Sequence, residues 1–285
     1  MMRRGIDTRA ALLTVGLAIL VPAVGWGADP IGSFSISGEL GLGGYSMGAV
    51  NDGINRSNDH LALLQPEWDV PDELQVGFDF LADASYDLSY SLRVGLSYLS
   101  SSGSTSVDYL QYIEVEPSAT MIIPRLYYRL PWRPTIDMSL RGFGGPVFLR
   151  NVETKITHEN TSEGEPRLES MTIEASGTGF EGGVMGEYTL SDRFTLTFEG
   201  GYRSAKTTYD SGAWKIENIQ DPQSINNETG LPNSRSLQRQ SYLWGFLNED
   251  YETVVQTTTE PTVREDLDAD FSGVIAKVGL RVYIF

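Results

Sequence analysis

Residues 177–203 read GTGFEGGVMGEYTLSDRFTLTFEGGYR. Met185 apart, the large apolar side chains fall on one parity: Phe180, Val184, Tyr188 and Leu190, then Phe194, Leu196, Phe198 and Tyr202. The other parity carries Glu181, Glu187, Glu199 and Arg203. Period-two alternation is the signature of an extended strand with two unlike faces. The short polar break at Ser191-Asp192 marks a tight hairpin between two such strands.

The same pattern extends outward to eight predicted strands, at 33–47, 73–86, 90–100, 118–130, 135–150, 172–190, 193–208 and 268–285. One face is apolar throughout. It includes Phe34, Ile36, Leu40 and Leu42; Leu74, Val76, Phe78 and Phe80; Leu92, Val94, Leu96 and Tyr98; Ile122, Pro124, Leu126 and Tyr128; Ile136, Met138 and Leu140; and Val278, Leu280, Val282 and Ile284. The opposite face carries the acids Glu39, Asp79, Asp83, Asp137, Glu181, Glu187 and Glu199. It also carries the bases Arg93, Arg125, Arg129, Arg141, Arg203, Lys277 and Arg281.

Two arrangements fit such strands. With the apolar face inward, the chain is a soluble periplasmic β-domain with a neutral charged shell. With the apolar face outward, it meets lipid, and the charged face fills a narrow interior with paired ions. The connections favour the second. Links at 87–89, 131–134 and 191–192 are short, and links at about 48–72, 101–117, 151–171 and 209–267 are long. Strict alternation puts all short turns at one end and all long loops at the other, the build of an outer-membrane barrel with periplasmic turns and extracellular loops. An even strand number then places both termini in the periplasm. Phe34, Tyr86, Tyr90, Trp132, Tyr188, Phe194, Tyr283 and Phe285 gather near the short turns, where amphipathic rings suit a membrane interface. The predicted fold is therefore all-β: a closed, antiparallel, up-and-down transmembrane barrel of about eight strands.

The first 28 residues are set apart. Arg3, Arg4 and Arg9 precede the apolar run of residues 10–24, and Gly25-Trp26-Gly27-Ala28 supplies small residues for cleavage. This is the three-part layout of a secretory signal, too short in its apolar core for the roughly 20 residues of a spanning helix. The barrel domain is then 29–285. Losing Arg3, Arg4, Arg9 and Asp7 takes the formal net charge from −17 to −19. That charge argues against nucleic acid as a partner. The chain has no Cys, so no disulfide or thiolate metal site is available. The 30 Gly and 14 Tyr suit strands and turns better than helices.

The last residues, Lys277-Val278-Gly279-Leu280-Arg281-Val282-Tyr283-Ile284-Phe285, resemble the closing strand of outer-membrane proteins. Lys277, Gly279, Val282 and Ile284 occupy the pattern positions. Phe285 ends the chain in an aromatic, one residue out of step with the apolar series. The resemblance implies recognition of this strand by the barrel-assembly machinery. Residues 177–203 are likewise similar to a hairpin of the small OmpA/OmpX-type barrels. The resemblance covers the strands alone and does not give a function.

Four features bear on chemistry. The interior charges form either a channel lining or a salt-bridge network filling a bore about wide enough for side chains; the balance of signs suits the network. His60 and His158 are the only histidines, and His158 with Ser162 and Glu163 is the nearest approach to a hydrolase site, lacking any marked orienting acid or oxyanion donor. The acidic runs 69–73 and 265–270 have no EF-hand spacing and read as solvated loops rather than cation sites bridging to lipopolysaccharide. Loop 209–267 holds Tyr242, Leu243, Trp244, Phe246, Leu247 and Tyr251, which suit either folding over the barrel mouth or meeting a surface partner. The expectation is a non-enzymatic integral outer-membrane protein without cofactor, in contact with outer-membrane lipid and lipopolysaccharide. It supports the envelope or presents its loops for surface contact. A narrow porin-like channel and a rim-sited lipid or peptide hydrolase are the alternatives.

Overall fold

The computed structural model describes residues 32–64, 71–108, 111–132, 134–135, 137–160, 167–217, 246, 267 and 269–284. The expected signal segment 1–28, Ile136, Ser162, Glu163, Phe285 and most of loop 209–267 lie outside them. In chain order the elements are β1 (Phe34–Gly44), α1 (Gly48–Leu64), β2 (Val76–Asp87), β3 (Leu92–Ser102), β4 (Thr105–Asp108), β5 (Gln111–Arg129), β6 (Met138–Asn160), β7 (Arg167–Thr189), β8 (Phe194–Glu217) and β9 (Gly273–Ile284).

The nine strands make one closed ring of eight members. Each strand pairs antiparallel with its neighbours in sequence, and β1 closes on β9 through Phe34↔Ile284 to Gly43↔Ile275. β3 and β4 are two pieces of one member. Leu92↔Tyr128 and Thr105↔Val115 lie on the same register against β5, and the interruption falls at Gly103-Ser104, where the Gly103 amide bonds the Pro117 carbonyl. In the half of the ring nearer the short turns, closure pairs every strand on both sides, the condition for an all-β wall in hydrocarbon.

The register also gives the slant of the wall. Crossing the ring from Phe34 passes Tyr86, Val94, Leu126, Gly144, Gly182 and Tyr202 to Val274. Ile275 faces Gly43, so Val274 reaches β1 beside Gly44, ten positions from the start. Eight strands with that stagger tilt by roughly 40° and enclose a backbone cylinder of roughly 8 Å radius. A bore of that size is filled by side chains.

Around the half of the ring nearer the short turns, apolar side chains point out. Ile36, Leu40, Phe78, Leu96, Leu126, Phe180, Phe198 and Val278 are all exposed on the outer wall. Such a continuous belt is far larger than a water-facing surface tolerates and matches the lipid-facing band of a membrane barrel. No described helix is long and apolar enough to cross a membrane; the strands do the crossing. The rings of Phe34, Tyr86, Tyr90, Trp132, Tyr188 and Phe194 are exposed near the short-turn end. Tyr283 departs from this group. It points inward, and its hydroxyl accepts from Arg93 Nη2 at 2.7 Å.

Three sequence-based expectations need correction. The stretches 101–117 and 151–171 are not simply loops: β4 and β5 form a hairpin, β6 continues to Asn160 and β7 starts at Arg167. β8 likewise continues to Glu217 rather than ending at 208. The stretch 48–72 contains α1, and Leu74, expected on the outer wall, is buried beneath it with both its amide and carbonyl bonded to the Asn51 side chain.

In these upper extensions the faces exchange character. Ile113, Val115, Met121, Ile123, Val147, Leu149, Met171 and Ile173 are buried and inward, while Glu116, Thr120, Glu153 and Glu174 lie on the outer parity. A one-residue bulge in β6 at Asn151, where φ is +48°, shifts the parity so that Val152, Thr154, Ile156 and His158 turn inward. Into this apolar upper lumen α1 inserts Val50 and Ile54. Phe246 joins them, docking at Gly53, where a side chain would collide with its ring.

Candidate functional site

The lower lumen holds a packed layer of ions. Glu39, Asp79, Asp83, Asp87, Glu181, Glu187 and Glu199 are buried there with Arg93, Arg125, Arg141, Arg203, Lys277 and Arg281. Where two or more share a strand they stand four or six residues apart, so the alternation that turns apolar groups out turns these in.

Nearest the short turns, Glu187 gathers three arginines. Its carboxylate accepts from Arg93 Nη1 at 2.6 Å, Arg281 Nη1 at 2.7 Å and Arg141 Nε at 2.8 Å. Asp87 takes Arg93 through two bonds of 3.0 Å each, the bidentate geometry that guanidinium groups favour. Arg281 reaches Asp83 at 3.3 Å, and Asp83 also accepts from Ser97 at 2.7 Å and Tyr127 at 3.1 Å. One level higher, Arg125 bonds Glu181 and Glu199, the latter at 2.9 Å. Lys277 stands 3.7 Å from Glu181 and 3.6 Å from Glu199. Arg203 meets Asp79 at 3.1 Å and donates from Nε to the Phe271 carbonyl at 3.1 Å.

A floor of aromatic rings divides this layer from the apolar one. Tyr45 packs edge-on to Phe271 with centroids 5.2 Å apart. Its hydroxyl lies 2.6 Å from Ser101, which in turn donates to Asp79 at 2.6 Å. Tyr45 thus presents its ring upward to the apolar core and its polar tip downward to the ions, the usual use of an amphipathic side chain at a boundary.

Fourteen residues were expected in the interior from sequence, and two of them sit elsewhere. Asp137 is exposed in the β5–β6 connection, because β6 begins at Met138 and leaves it outside the alternation. Arg129 lies at the lip of the barrel, half-buried, with its guanidinium 4.2 Å over the Tyr90 ring. Asp87, which the sequence alone places in the 87–89 turn, is instead a buried acid at the short-turn end of β2. It continues the inward series Asp79, Asp83, Asp87, a spacing of four that was visible in the sequence. Among the described residues the buried ions of this layer are therefore seven acids against six bases. Glu39 is the buried acid without a cation within 4 Å among the described residues; it accepts from Thr197 at 3.2 Å and Ser37 at 3.4 Å.

The positions of the closing-strand pattern also have places. Lys277 is in the ion layer, and Val282 and Ile284 are on the outer parity. Gly279 faces Glu39 across the seam; a Cβ there would run into the Glu39 side chain, so a glycine is what gives that acid its room. Phe285 lies outside the described residues.

With this geometry in view, comparison with known proteins gives structural likeness only. No protein-family model matches the chain, and no curated protein sequence does. Solved structures of outer-membrane proteins are similar along nearly their whole length. OprG from Pseudomonas aeruginosa is 12% identical with a TM-score of 0.43, covering 91% of this chain and 99% of its own. CarO2 from Acinetobacter baumannii is 11% identical with a TM-score of 0.38, covering 90% of this chain and 100% of its own. The outer membrane protease OmpT from Escherichia coli is 9% identical with a TM-score of 0.38, covering 90% of this chain and 98% of its own. The barrel reading rests on the register and the outward belt of this chain itself.

The two features considered for hydrolysis and metal binding are placed only in part. His158 is buried, facing the upper lumen between Ile113 of β5 and Glu169 of β7. Among the described residues no group of three His, Asp or Glu side chains is arranged to hold a metal ion. Glu73 of the first acidic run accepts from Asn55 Nδ2 of α1 at 2.9 Å.

Proposed function

We propose that the chain is a non-enzymatic integral outer-membrane protein whose barrel is a closed anchor, holding its long-loop end at the cell surface for contact with lipopolysaccharide or a surface partner. The observation that carries this is the filling of the lumen. Arg93, Arg203 and Arg281 below, Leu81 and Leu99 level with the ions, and Phe271, Met47, Ile54 and Phe246 above are all less than 2% exposed. A conducting pore of this size would need water where these side chains stand. The short turns would face the periplasm and the upper extensions of β5–β8 would project outward, their outer parity being polar and their apolar parity turned into the lumen. Such a projecting platform is what a loop-presenting protein requires.

Planar-bilayer recording with the refolded chain tests the closed anchor. The expected result is no steady conductance at neutral pH. Open-channel current at low voltage would replace this reading with the porin-like one. An epitope inserted between 225 and 235 tests the orientation: antibody should label intact cells, and labelling only after the outer membrane is broken would reverse the assignment of ends.

A further inference from the structure

The outer wall turns from apolar to polar at one level, and its cations are unevenly placed there. Leu42, Phe78, Ile122, Phe148, Phe180 and Tyr202 are the top rung of the exposed belt. The register sets them at one height once the slant of the strands is followed round the ring. Just above this rung the wall carries hydroxyls: Ser102, Thr120, Ser176, Thr178 and Ser204. On the arc of β6, β7 and β8 it also carries Arg150 and Lys206, both exposed. Among the described residues no other cation stands at this level of the outer wall, and neither of these two is in an ion pair.

The two cations flank β7. Thr178 faces Phe148 on one side and Lys206 on the other. Arg150 follows Phe148 on the same parity of β6, so it stands level with Lys206, two strands or roughly 10 Å away. The strand is bulged at this point. Its register jumps from Leu149↔Gly177 to Val152↔Ala175, so Arg150 and Asn151 together oppose Ser176. A bulge re-aims side chains, and here it leaves an Arg and an amide both exposed on the outside, with φ +48° at Asn151. The carboxylates of these strands are placed elsewhere. Glu153, Glu174 and Asp210 stand higher. Asp270, bridged to Lys206 along the backbone, has its Oδ1 committed to the Ser272 amide at 2.9 Å.

We infer that this arc seats a lipopolysaccharide molecule: a phosphate of its lipid A moiety sits between Arg150 and Lys206, over the hydroxyls of Ser176 and Thr178, and its acyl chains lie along Phe148, Phe180 and Tyr202. A lipid phosphate stands at the edge of the hydrocarbon, which is the level of these two cations. The guanidinium fork matches phosphate oxygens by paired donors, and the ammonium adds a point charge from the other side. In a chain of net charge −17, two unpaired cations set directly over an apolar wall are the complement of an anionic lipid. A free anion would have no use for the rings below. The site rests on the reading above that the long-loop end faces outward, since lipopolysaccharide occupies the outer leaflet.

The test is native mass spectrometry of the refolded chain in maltoside micelles, titrated with bis-phosphorylated lipid A. Saturable binding is expected. The double variant Arg150→Gln, Lys206→Gln should bind about tenfold more weakly or worse, and lipid A stripped of its phosphates should bind the unaltered chain as poorly. Lys155→Gln is the control: it removes the same charge from β6, at a higher position facing Glu116, and should leave binding unchanged. All three side chains are exposed, so the fold tolerates their loss, and heat-shifted gel migration verifies it. Three results overturn the site: no saturable binding, an equal loss in Lys155→Gln, or phosphatidylglycerol binding as tightly as lipid A, which marks a general anionic-lipid surface. Any of these, with the 225–235 epitope labelled on intact cells, removes this site alone. Labelling only after the outer membrane is broken removes the orientation on which it rests.

Discussion

The lower and upper halves of this barrel are built on opposite rules. Below, apolar side chains such as Leu126, Phe180 and Val278 face outward and Arg125, Glu181 and Lys277 face inward. Above, on the same strands, Ile113, Val147 and Ile173 face inward and the acids Glu116, Glu153 and Glu174 lie on the outer parity. Apart from the register shifts in β6 and between β7 and β8, the strand alternation runs on; only the chemistry assigned to each parity changes. The difference tells where the hydrocarbon ends. A wall surrounded by lipid places its charges inside and must pair them, since each buried ion otherwise costs several kcal/mol. A wall surrounded by water folds like an ordinary soluble barrel, with a greasy core.

Substitutions that treat the halves alike should therefore give unlike results, read as shifts in the urea midpoint of the refolded protein. The largest effect is expected at Glu187. Replacing it with Gln strips three buried arginines of a shared partner and should cost about 3–5 kcal/mol. A loss under about 1 kcal/mol would mean that water, not the carboxylate, satisfies those guanidiniums. Next comes a matched pair on β5: Leu126→Arg puts a charge in the outer belt and should cost about 2–4 kcal/mol, whereas Glu116→Arg, one half higher on the outer parity, should stay within about 0.5 kcal/mol. Equal costs at the two positions would abolish the distinction between the halves. In the upper core, Ile156→Val should cost about 0.5–1.5 kcal/mol, the ordinary value for a buried methylene in a soluble interior. The smallest shift is expected at the bulge. Asn151→Ala at φ +48° should lose about 1 kcal/mol or less, and Asn151→Gly should lose nothing; identical behaviour of the two would remove the left-handed backbone as the reason for that residue.

The lower half was legible in the sequence because lipid imposes a blunt code, and twelve of the expected interior ions fall inside it. Asp87 escaped because it stands beside a turn, and Asp137 misled because it stands just before a strand. The upper half was obscured by its own ordinariness. Tyr112-Ile113-Glu114-Val115-Glu116 alternates as clearly as any lower strand, yet with the polar face outward it reads as a hydrophilic loop once the eye is set for a membrane wall. The bulge at Asn151 broke the period where β6 changes character. Helix α1 is hidden for a different reason. Its run GAVNDGINRSNDHLALL is rich in Gly, Asn and Asp, poor helix formers. It is held by what it covers rather than by propensity, and Val50 and Ile54 at one-turn spacing were the available hint. Phe246 had no local sign of its partner; only the bare backbone of Gly53, two hundred residues earlier, makes its seat.

Closure has a kinetic side. The seam joins Phe34 to Ile284, far apart in sequence, along strands far shorter than the β6–β7–β8 curtain. Neighbouring hairpins can zip as they emerge, but the cylinder stays an open ribbon until its final strand arrives to meet its first. The slowest and most distant pairing is therefore also the one on which every other strand's shelter from solvent depends.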